Sequence, residues 1–159
     1  MSLHIRDATP ADAGLVAEFN LKLAAESEGK TLDRDWLEPG VRAILDDPGR
    51  GRYFLACNGD QVVGQLSITY EWSDWRNGWF WWFQSVYVTA AARRSGTFSA
   101  LYDHVYQLAK ARDDVCGLRL YVDERNRDAQ QVYAARGMTQ AGYHVMEIDF
   151  RSPTSKGKS

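Results

Sequence analysis

Cysteine is scarce in this sequence. The chain of 159 residues has two, Cys57 and Cys116, which lie far apart in the sequence. Neither belongs to a Cys-x-x-Cys pair or has a pair of histidines nearby, which argues against both a zinc site and a disulfide framework. We therefore expect two reduced, buried thiols and no metal.

Long apolar runs are also missing. The longest apolar stretches fall far short of the ~20 residues that a membrane-spanning helix needs. The first ten residues, MSLHIRDATP, lack the charged-then-apolar pattern of a secretion signal. These two absences predict a cytoplasmic protein without a membrane partner.

A strong charge of either sign is absent as well. Nineteen Lys and Arg against twenty-one Asp and Glu give a net charge of −2, so no global basic field draws the chain to nucleic acid. Five of the six tryptophans lie between residues 72 and 84, and a stacking platform there would need interleaved basic residues. Arg76 is the only one in that interval. We expect no nucleic-acid partner.

The remaining patterns predict one mixed α/β (α+β) domain over residues 1–150, followed by a disordered polar tail over 151–159. Alternating residues indicate strands, and Asn-containing turns join three of them into two hairpins. Thr9, Pro10 and Asp12 predict the start of the first helix. The predicted order is β-α-α-β-β-β-α-β-α-β, with the last strand at YHVMEIDF, residues 143–150.

The strongest chemical signal is VYVTAAARRSGTFSALYDHV, where a strand, a short basic loop and an amphipathic helix follow one another. The first amides of a helix lack internal partners and carry partial positive charge, which suits a phosphate. Arg93 and Arg94 add full charge, and Gly96 permits close approach. The chemistry alone leaves two alternatives, a phosphate-bearing ligand or a solvated basic loop. The loop has neither the Walker pattern nor the three glycines of a dinucleotide site.

This loop resembles the coenzyme A signature Q/R-x-x-G-x-G/A of the GNAT superfamily of N-acetyltransferases. Arg93 takes its first position and Gly96 its first glycine, while Phe98 stands where Gly or Ala is usual. A second stretch, NRDAQQVYAARGM, resembles the downstream motif of the family in all four of its marked positions: Asn126, Ala129, Tyr133 and Gly137. The resemblance covers roughly residues 3–150 and implies a mixed, mostly antiparallel sheet with helices on both faces.

The resemblance also implies acetyl-CoA as co-substrate and a set of coenzyme contacts. The backbone of Val86 and Val88 would hold the pantetheine arm and stabilise the oxyanion. Tyr133 would act as general acid, or alternatively pack between helix and sheet. Asn126 would contact the arm or cap the following helix. The loop itself would bind the phosphates through Arg93, Arg94, Ser95, Gly96, Thr97 and Phe98.

The acceptor side is predicted from chemistry. An alkylamine with a pKa of ~10.4 is almost wholly protonated at neutral pH, so some group has to accept its proton, often a carboxylate that acts directly or through water. Glu71 is the first candidate, with Asp123 and Glu124 next; a solvated surface role is the alternative for each. Gln84 would orient substrate or water. Trp72 and Trp75 would form pocket walls, whereas Trp81 and Trp82 are expected mostly in the core.

The resemblance implies acetyl transfer to a primary amine, by direct attack in a ternary complex. Local acidic residues and aromatic faces favour a small cationic amine. The alternatives are a non-catalytic acyl-CoA-binding sensor or scaffold and a protein or peptide N-acetyltransferase. The family resemblance also allows a homodimer.

Overall fold

The computed structural model describes residues 2–154, and these divide into two compact units. The first unit comprises residues up to Arg119 together with Pro153 and Thr154. It contains strands β1 (Leu3–Asp7), β2 (Arg52–Asn58), β3 (Gln61–Ser73) and β4 (Gly78–Val88) and most of β5 (Val115–Leu120). Its helices are α1 (Ala13–Glu28), α2 (Arg34–Asp46) and α3 (Thr97–Lys110), with short 3-10 turns at Pro10–Asp12 and Ala90–Ala92.

The five strands form one sheet in the order β1-β2-β3-β4-β5. The first four are joined by antiparallel pairing. At the β4–β5 edge, the Trp79 amide donates to the Asp114 carbonyl at 2.8 Å, and Gly78 and Phe80 lie beside Cys116 and Gly117. Because these contacts advance in the same direction along both strands, β5 runs parallel to β4. This confirms the predicted mixed, mostly antiparallel sheet.

Alternation along the strands gives the sheet two distinct faces. Tyr53, Leu55 and Cys57 are buried on one face against residues of α1 and α2, which we term the α1 face. Phe54 points the other way, toward His104 of α3, and defines the α3 face. Residues directly opposite one another on paired strands share a face. The register therefore extends the α1 face to three cross-strand pairs: Ser67 with Gln84, Thr69 with Trp82 and Glu71 with Phe80.

The second unit spans Leu120–Ser152 and contains helix α4 (Arg127–Ala135). The structure differs here from the prediction, because residues 143–150 form no strand. The apolar alternation breaks in the middle of this segment: Tyr143 and Val145 share one parity, whereas Met146, Ile148 and Phe150 share the other. A strand with apolar residues on both parities needs cover on both faces, and these side chains are exposed.

The predicted disordered tail begins inside the described residues. The Pro153 carbonyl accepts a hydrogen bond from the Asp33 amide at 2.8 Å, and Thr154 forms an isolated antiparallel bridge with Leu32. Residues 155–159 of the tail lie outside the described residues. Among the helices of residues 2–154, none has the length and apolar character for crossing a bilayer.

Candidate active site

The loop between β4 and α3 is closed by side chains of its own. The Ser95 hydroxyl donates to the Ala92 carbonyl, and the buried Thr97 hydroxyl donates to the same carbonyl at 3.3 Å. The two hydroxyl oxygens lie 3.2 Å apart. Ser95 and Thr97 therefore hold the loop in shape from within, and their side-chain oxygens are occupied in doing so.

The N-terminus of α3 is open to a ligand. Gly96 precedes the helix with a left-handed φ of +84° and supplies no side chain to cap it, and Arg94 is also left-handed at +64°. The first amides of α3 therefore keep their free hydrogen-bonding capacity. Arg94 is exposed and makes no ion pair within residues 2–154. An uncapped helix start and a free guanidinium fit a phosphate group.

Phe98 does not block this helix start. Its ring lies 6.0 Å from the ring of Tyr102, one helical turn further along α3, and Tyr102 in turn packs edge-on against Phe83 of β4 at 5.3 Å. The large residue in place of Gly or Ala is accommodated because its side chain joins this aromatic cluster on the α3 face.

Arg93 has internal contacts that its neighbour lacks. Its Nε donates to the Val88 carbonyl at 3.0 Å, and its Nη2 donates to Oε1 of Glu26, at the end of α1, at 2.5 Å. The Tyr87 hydroxyl donates to the other oxygen of Glu26 at 2.8 Å. These hydrogen bonds, that of Arg93 foremost, hold the pKa of Glu26 below its usual range. Burial raises the pKa of Tyr87 above its usual range, and the hydrogen bond to the Glu26 carboxylate raises it further.

Strand β4 contains a bulge before it reaches the loop. Ser85 and Val86 together stand opposite Leu66 alone, and Ser85 has a left-handed φ of +36°. The buried Gln65 donates from Nε2 to the Ser85 carbonyl at 3.0 Å and to Asn20 of α1 at 3.3 Å. Such a bulge redirects the backbone of the residues that follow it. Of the two predicted coenzyme contacts, Val86 lies in the bulge and Val88 follows it.

The predicted base, Glu71, lies on the α1 face at the far end of the sheet from the loop. Its Oε1 accepts two hydrogen bonds, from Trp82 Nε1 at 2.8 Å and from Arg119 Nη1 at 3.1 Å. The Arg119 guanidinium sits 3.7 Å from the centre of the Phe80 ring. A carboxylate, a guanidinium and two aromatic rings thus meet on one exposed part of the sheet.

Gln84 occupies the same face, next to Trp82 along β4. Its Nε2 donates to the Thr69 hydroxyl at 3.2 Å, which orients the amide along the sheet surface. Its predicted role in orienting substrate or water stays a prediction.

The two tryptophans predicted as pocket walls, Trp72 and Trp75, lie at the turn end of the β3–β4 hairpin. Trp72 points to the α3 face, opposite Glu71, and packs edge-on against Trp79 at 4.9 Å. Trp75, in the turn, is 87% exposed. Consecutive strand residues point to opposite faces, so Trp72 and Glu71 lie on different faces of the sheet. The roles of Trp72 and Trp75 as pocket walls stay predictions. Trp81 is buried as predicted, whereas Trp82 is only partly buried and binds Glu71 instead of filling the core.

The other predicted residues belong to the second unit. Asn126 caps α4, since its Oδ1 accepts from the Ala129 amide at 3.0 Å, and this confirms the capping alternative. Asp123 accepts from the Arg125 amide at 2.8 Å and pairs with its guanidinium. Arg125 thereby lowers the pKa of Asp123, and its role as a base stays a prediction. Glu124 is exposed, and Tyr133 lies on α4, half-buried.

Three residues of the site were missed by sequence reasoning. Glu26 and Gln65 carried no recognisable signal, because their partners lie far away in the sequence. Arg119 did carry one, since it interrupts the apolar strand VCGLRL. A charge inside a strand requires a partner or an exposed face. Between Leu3 and Thr154, no three of the His, Cys, Asp and Glu side chains are grouped as a metal site would need.

Comparison with known proteins identifies the family of this chain. The sequence model of the acetyltransferase (GNAT) family matches residues 18–138. A possible acetyltransferase from Clostridium difficile 630 is 40% identical, with a TM-score of 0.89 over 96% of this chain and 100% of that chain. No curated protein sequence matches.

Two more distant solved structures share the fold alone. One is the ribosomal-protein-alanine N-acetyltransferase from Brucella melitensis biovar Abortus 2308, 17% identical, with a TM-score of 0.73 over 94% of this chain and all of that one. The other is the aminoglycoside acetyltransferase HMB0005 from an uncultured soil metagenomic sample, 18% identical, with a TM-score of 0.70 over 96% and 99%. The family match over most of the chain and the 40% identical relative carry the assignment: this chain belongs to the GNAT family of acetyltransferases.

Proposed function

We propose that the protein is an N-acetyltransferase that moves the acetyl group of acetyl-CoA to the primary amine of a small molecule. The observation that carries this proposal is the open start of α3, where uncapped amides and the unpaired Arg94 follow directly from β4. These groups suit the phosphates of the coenzyme. When bound, acetyl-CoA supplies an acetyl group activated as a thioester.

The residues of β4 would orient the coenzyme. Its arm would hydrogen-bond the backbone of Val86, in the bulge that Gln65 holds through the Ser85 carbonyl, and of Val88 beyond it. A backbone amide at this place would stabilise the negative charge that develops on the thioester oxygen. Tyr133 is proposed to give a proton to the departing thiolate, which needs only modest help because thiols have a pKa of ~8.5.

Glu71 is proposed to receive the proton of the attacking amine. Its Oε1 accepts hydrogen bonds from Trp82 and Arg119, whereas its Oε2 accepts none within the described part of the chain. That second oxygen is the one a substrate ammonium could reach. We propose direct attack without a covalent enzyme intermediate, since Cys57 is buried in the core beneath α1 and α2 and the partly buried Cys116 lies beside Gly78, at the opposite end of β4 from the loop.

A thiol-release assay tests the proposal. The full-length protein is incubated with acetyl-CoA and a panel of polyamines, amino acids, aminoglycosides and peptides, and products are identified by mass spectrometry. We expect thiol release with an equal amount of N-acetylated product for at least one small amine. Coenzyme binding without release from any amine would instead indicate a sensor or scaffold, and acetylation confined to peptides would indicate a protein N-acetyltransferase.

A further inference from the structure

We propose that the acceptor is a primary amine that carries a carboxylate close to its amino group, and that Arg119 binds this carboxylate while Glu71 binds the ammonium. The proposal rests on the proposed function, because it names the substrate class of the same site. It is carried by the placement, the hydrogen bonding and the charge of Arg119, none of which the acetyl transfer itself requires.

Arg119 is held in a fixed orientation on the sheet. Its guanidinium lies over the Phe80 ring at 3.7 Å, and Phe80 packs against Gly117, where any side chain would collide with the ring. A cation on an aromatic face is attracted by the ring, and a planar guanidinium stacks on it well. The side chain is 23% exposed, so the group is anchored and still reaches the surface.

The hydrogen bonds of the pair leave complementary groups open. Arg119 uses Nη1 for Glu71, and no bond from its Nη2 or Nε is recorded among residues 2–154. A guanidinium has five donors in a planar fork, and two of them side by side match a carboxylate. Glu71 keeps Oε2 open in the same way. An unused donor edge therefore lies beside an unused acceptor oxygen.

The charge balance favours a substrate with both signs. The Glu71–Arg119 pair is neutral as a unit, so it offers little net attraction to a simple cation. An ammonium that approached Glu71 alone would also meet the positive charge of Arg119 close by. A molecule that brings its own carboxylate removes this repulsion and satisfies both partners.

A purely structural role makes a different prediction. Arg119 and Glu71 reach each other across β4, and a partly exposed pair of this kind adds little to stability. If the pair only stabilised the sheet, the presence of a carboxylate on the substrate would not change its turnover. The two readings therefore differ in substrate preference.

The experiment compares matched amines on the wild-type protein. L-α-amino acids are each tested beside their C-terminal amide and the amine without the carboxyl group, for example phenylalanine, phenylalaninamide and 2-phenylethylamine. We expect kcat/KM to be at least tenfold higher for the amino acid than for either relative in at least one set. Calorimetric titration in the presence of coenzyme A should show the same order of affinity.

Variants of Arg119 then locate the effect. In Arg119→Met, we expect KM for the preferred amino acid to rise at least tenfold while kcat/KM for its amide is unchanged or higher. Arg119→Lys keeps the charge without the fork and should lose part of the preference. The control is Arg112→Met, which removes an exposed arginine paired with Asp114 and should leave both substrates unaffected.

The possible failures are distinguishable. Amides and decarboxylated amines that react as well as the acids would overturn the carboxylate proposal and leave the acetyltransferase proposal standing. An unchanged preference in a folded Arg119→Met protein would overturn it as well. If no amine releases thiol although coenzyme A binds, the proposed function itself fails. Should Arg119→Met not fold, the wild-type comparison and Arg119→Lys still decide.

Discussion

Glu26 joins the end of α1 to the loop before α3, because its two oxygens accept from two different residues of that region. Arg93 binds one oxygen and Tyr87 the other. The carboxylate therefore places a negative charge beside a loop that we propose binds phosphates, and it occupies one of the two arginines there. Arg94 is left as the free cation.

We expect Glu26→Gln to strengthen coenzyme A binding several-fold. The substitution removes a repulsive charge and releases Arg93 from its ion pair, while the amide can still accept from Tyr87. Calorimetric titration with coenzyme A measures the change. Glu38→Gln is the matched control, since Glu38 is also an exposed glutamate paired with an arginine. Weaker binding in Glu26→Gln would show that the ion pair orients Arg93 for the ligand.

Asp12 is a second residue whose charge is paired within the protein, in this case with Arg6. Its two oxygens accept from Arg6, both at 2.9 Å, and its Oδ2 also accepts from the Thr9 amide at 2.8 Å. The Arg6 hydrogen bonds lower the pKa of Asp12 below its ordinary 3.8. A lowered pKa means that the ionised form stabilises the fold above that ordinary value and that this contribution is lost as the pH falls below it.

Asp12→Asn should therefore lower the free energy of unfolding by about 1–2 kcal/mol at pH 7, as loss of a helix-start cap does. As the pH falls below 3.8 the difference from wild type should shrink, because the ionised form of Asp12 then contributes progressively less to the stability of the fold. Urea unfolding at pH 7 and pH 3 checks both statements. Asp46→Asn, at an exposed aspartate without recorded contacts in the described chain, should show no difference at either pH.

Residue patterns in the sequence predicted the short loop between β4 and α3 and the caps, because those features depend on residues that are neighbours in the sequence. Thr9 and Asp12 form the expected capping box, and Asn126 caps α4. The contacts of Glu71 and Glu26 with arginines could not be predicted in this way. They join residues 48 and 67 positions apart, and only the sheet register and the helix packing bring them together.

Among the elements, the β3–β4 hairpin shows how far alternation alone can reach. Alternation along β4 places Trp79, Trp81 and Phe83 on one face and Phe80, Trp82 and Gln84 on the other, and Trp81 is buried as expected. Alternation could not decide whether Trp82 is buried, because a large aromatic residue fits either a core or a half-open surface. The hydrogen bond to Glu71 decides the matter.

The bulge in β4 depends on a side chain of the neighbouring strand, Gln65 of β3. Gln65 is fully buried, and its Oε1 has no hydrogen-bond partner inside residues 2–154, while its Nε2 holds the Ser85 carbonyl and Asn20. A buried side chain that keeps one unpaired polar atom costs stability. The same Gln65 side chain makes the contact that fixes the bulge, from its Nε2 to the Ser85 carbonyl.

We expect Gln65→Leu to reduce kcat at least tenfold with a smaller change in KM for acetyl-CoA, because the backbone beyond Ser85 loses its fixed direction. The stability cost should be about 1–3 kcal/mol, from the partners left unpaired. Steady-state kinetics with thermal unfolding separate the two effects. Gln61→Leu, at an exposed position of the same strand, is the control. A stable Gln65→Leu protein with normal kcat would refute this role.

On the scale of the whole molecule, the class of fold and the order of the elements were predictable up to α4. Each of these elements has a local sequence pattern that predicts it: a capped amphipathic stretch for a helix, or alternation between two turns for a strand. The last predicted strand is absent from the described residues, because a strand also needs a neighbour, and local alternation carries no information about one. The division of the chain into a single domain and a tail stays a prediction.

The C-terminal contact near α2 gives a prediction at this scale. The Asp33 amide bonds to the Pro153 carbonyl immediately before α2, and Asp33 also caps that helix. Removing residues 153–159 should therefore speed hydrogen exchange of the Asp33 amide at least tenfold. Removing only residues 155–159 should leave the rate unchanged, because both contacts stay. Equal rates in the two shortened chains would show that the contact is not maintained in solution.

Gly117 has a consequence for how such a protein could change its substrates. A methyl group at this position would come within 2.7 Å of the Phe80 ring. The ring would have to tilt, and the guanidinium of Arg119 that rests on it would move as well. Mutational libraries meant to alter acceptor choice should therefore include position 117. A change there could retune selectivity while every side chain proposed to contact the substrate keeps its chemical identity.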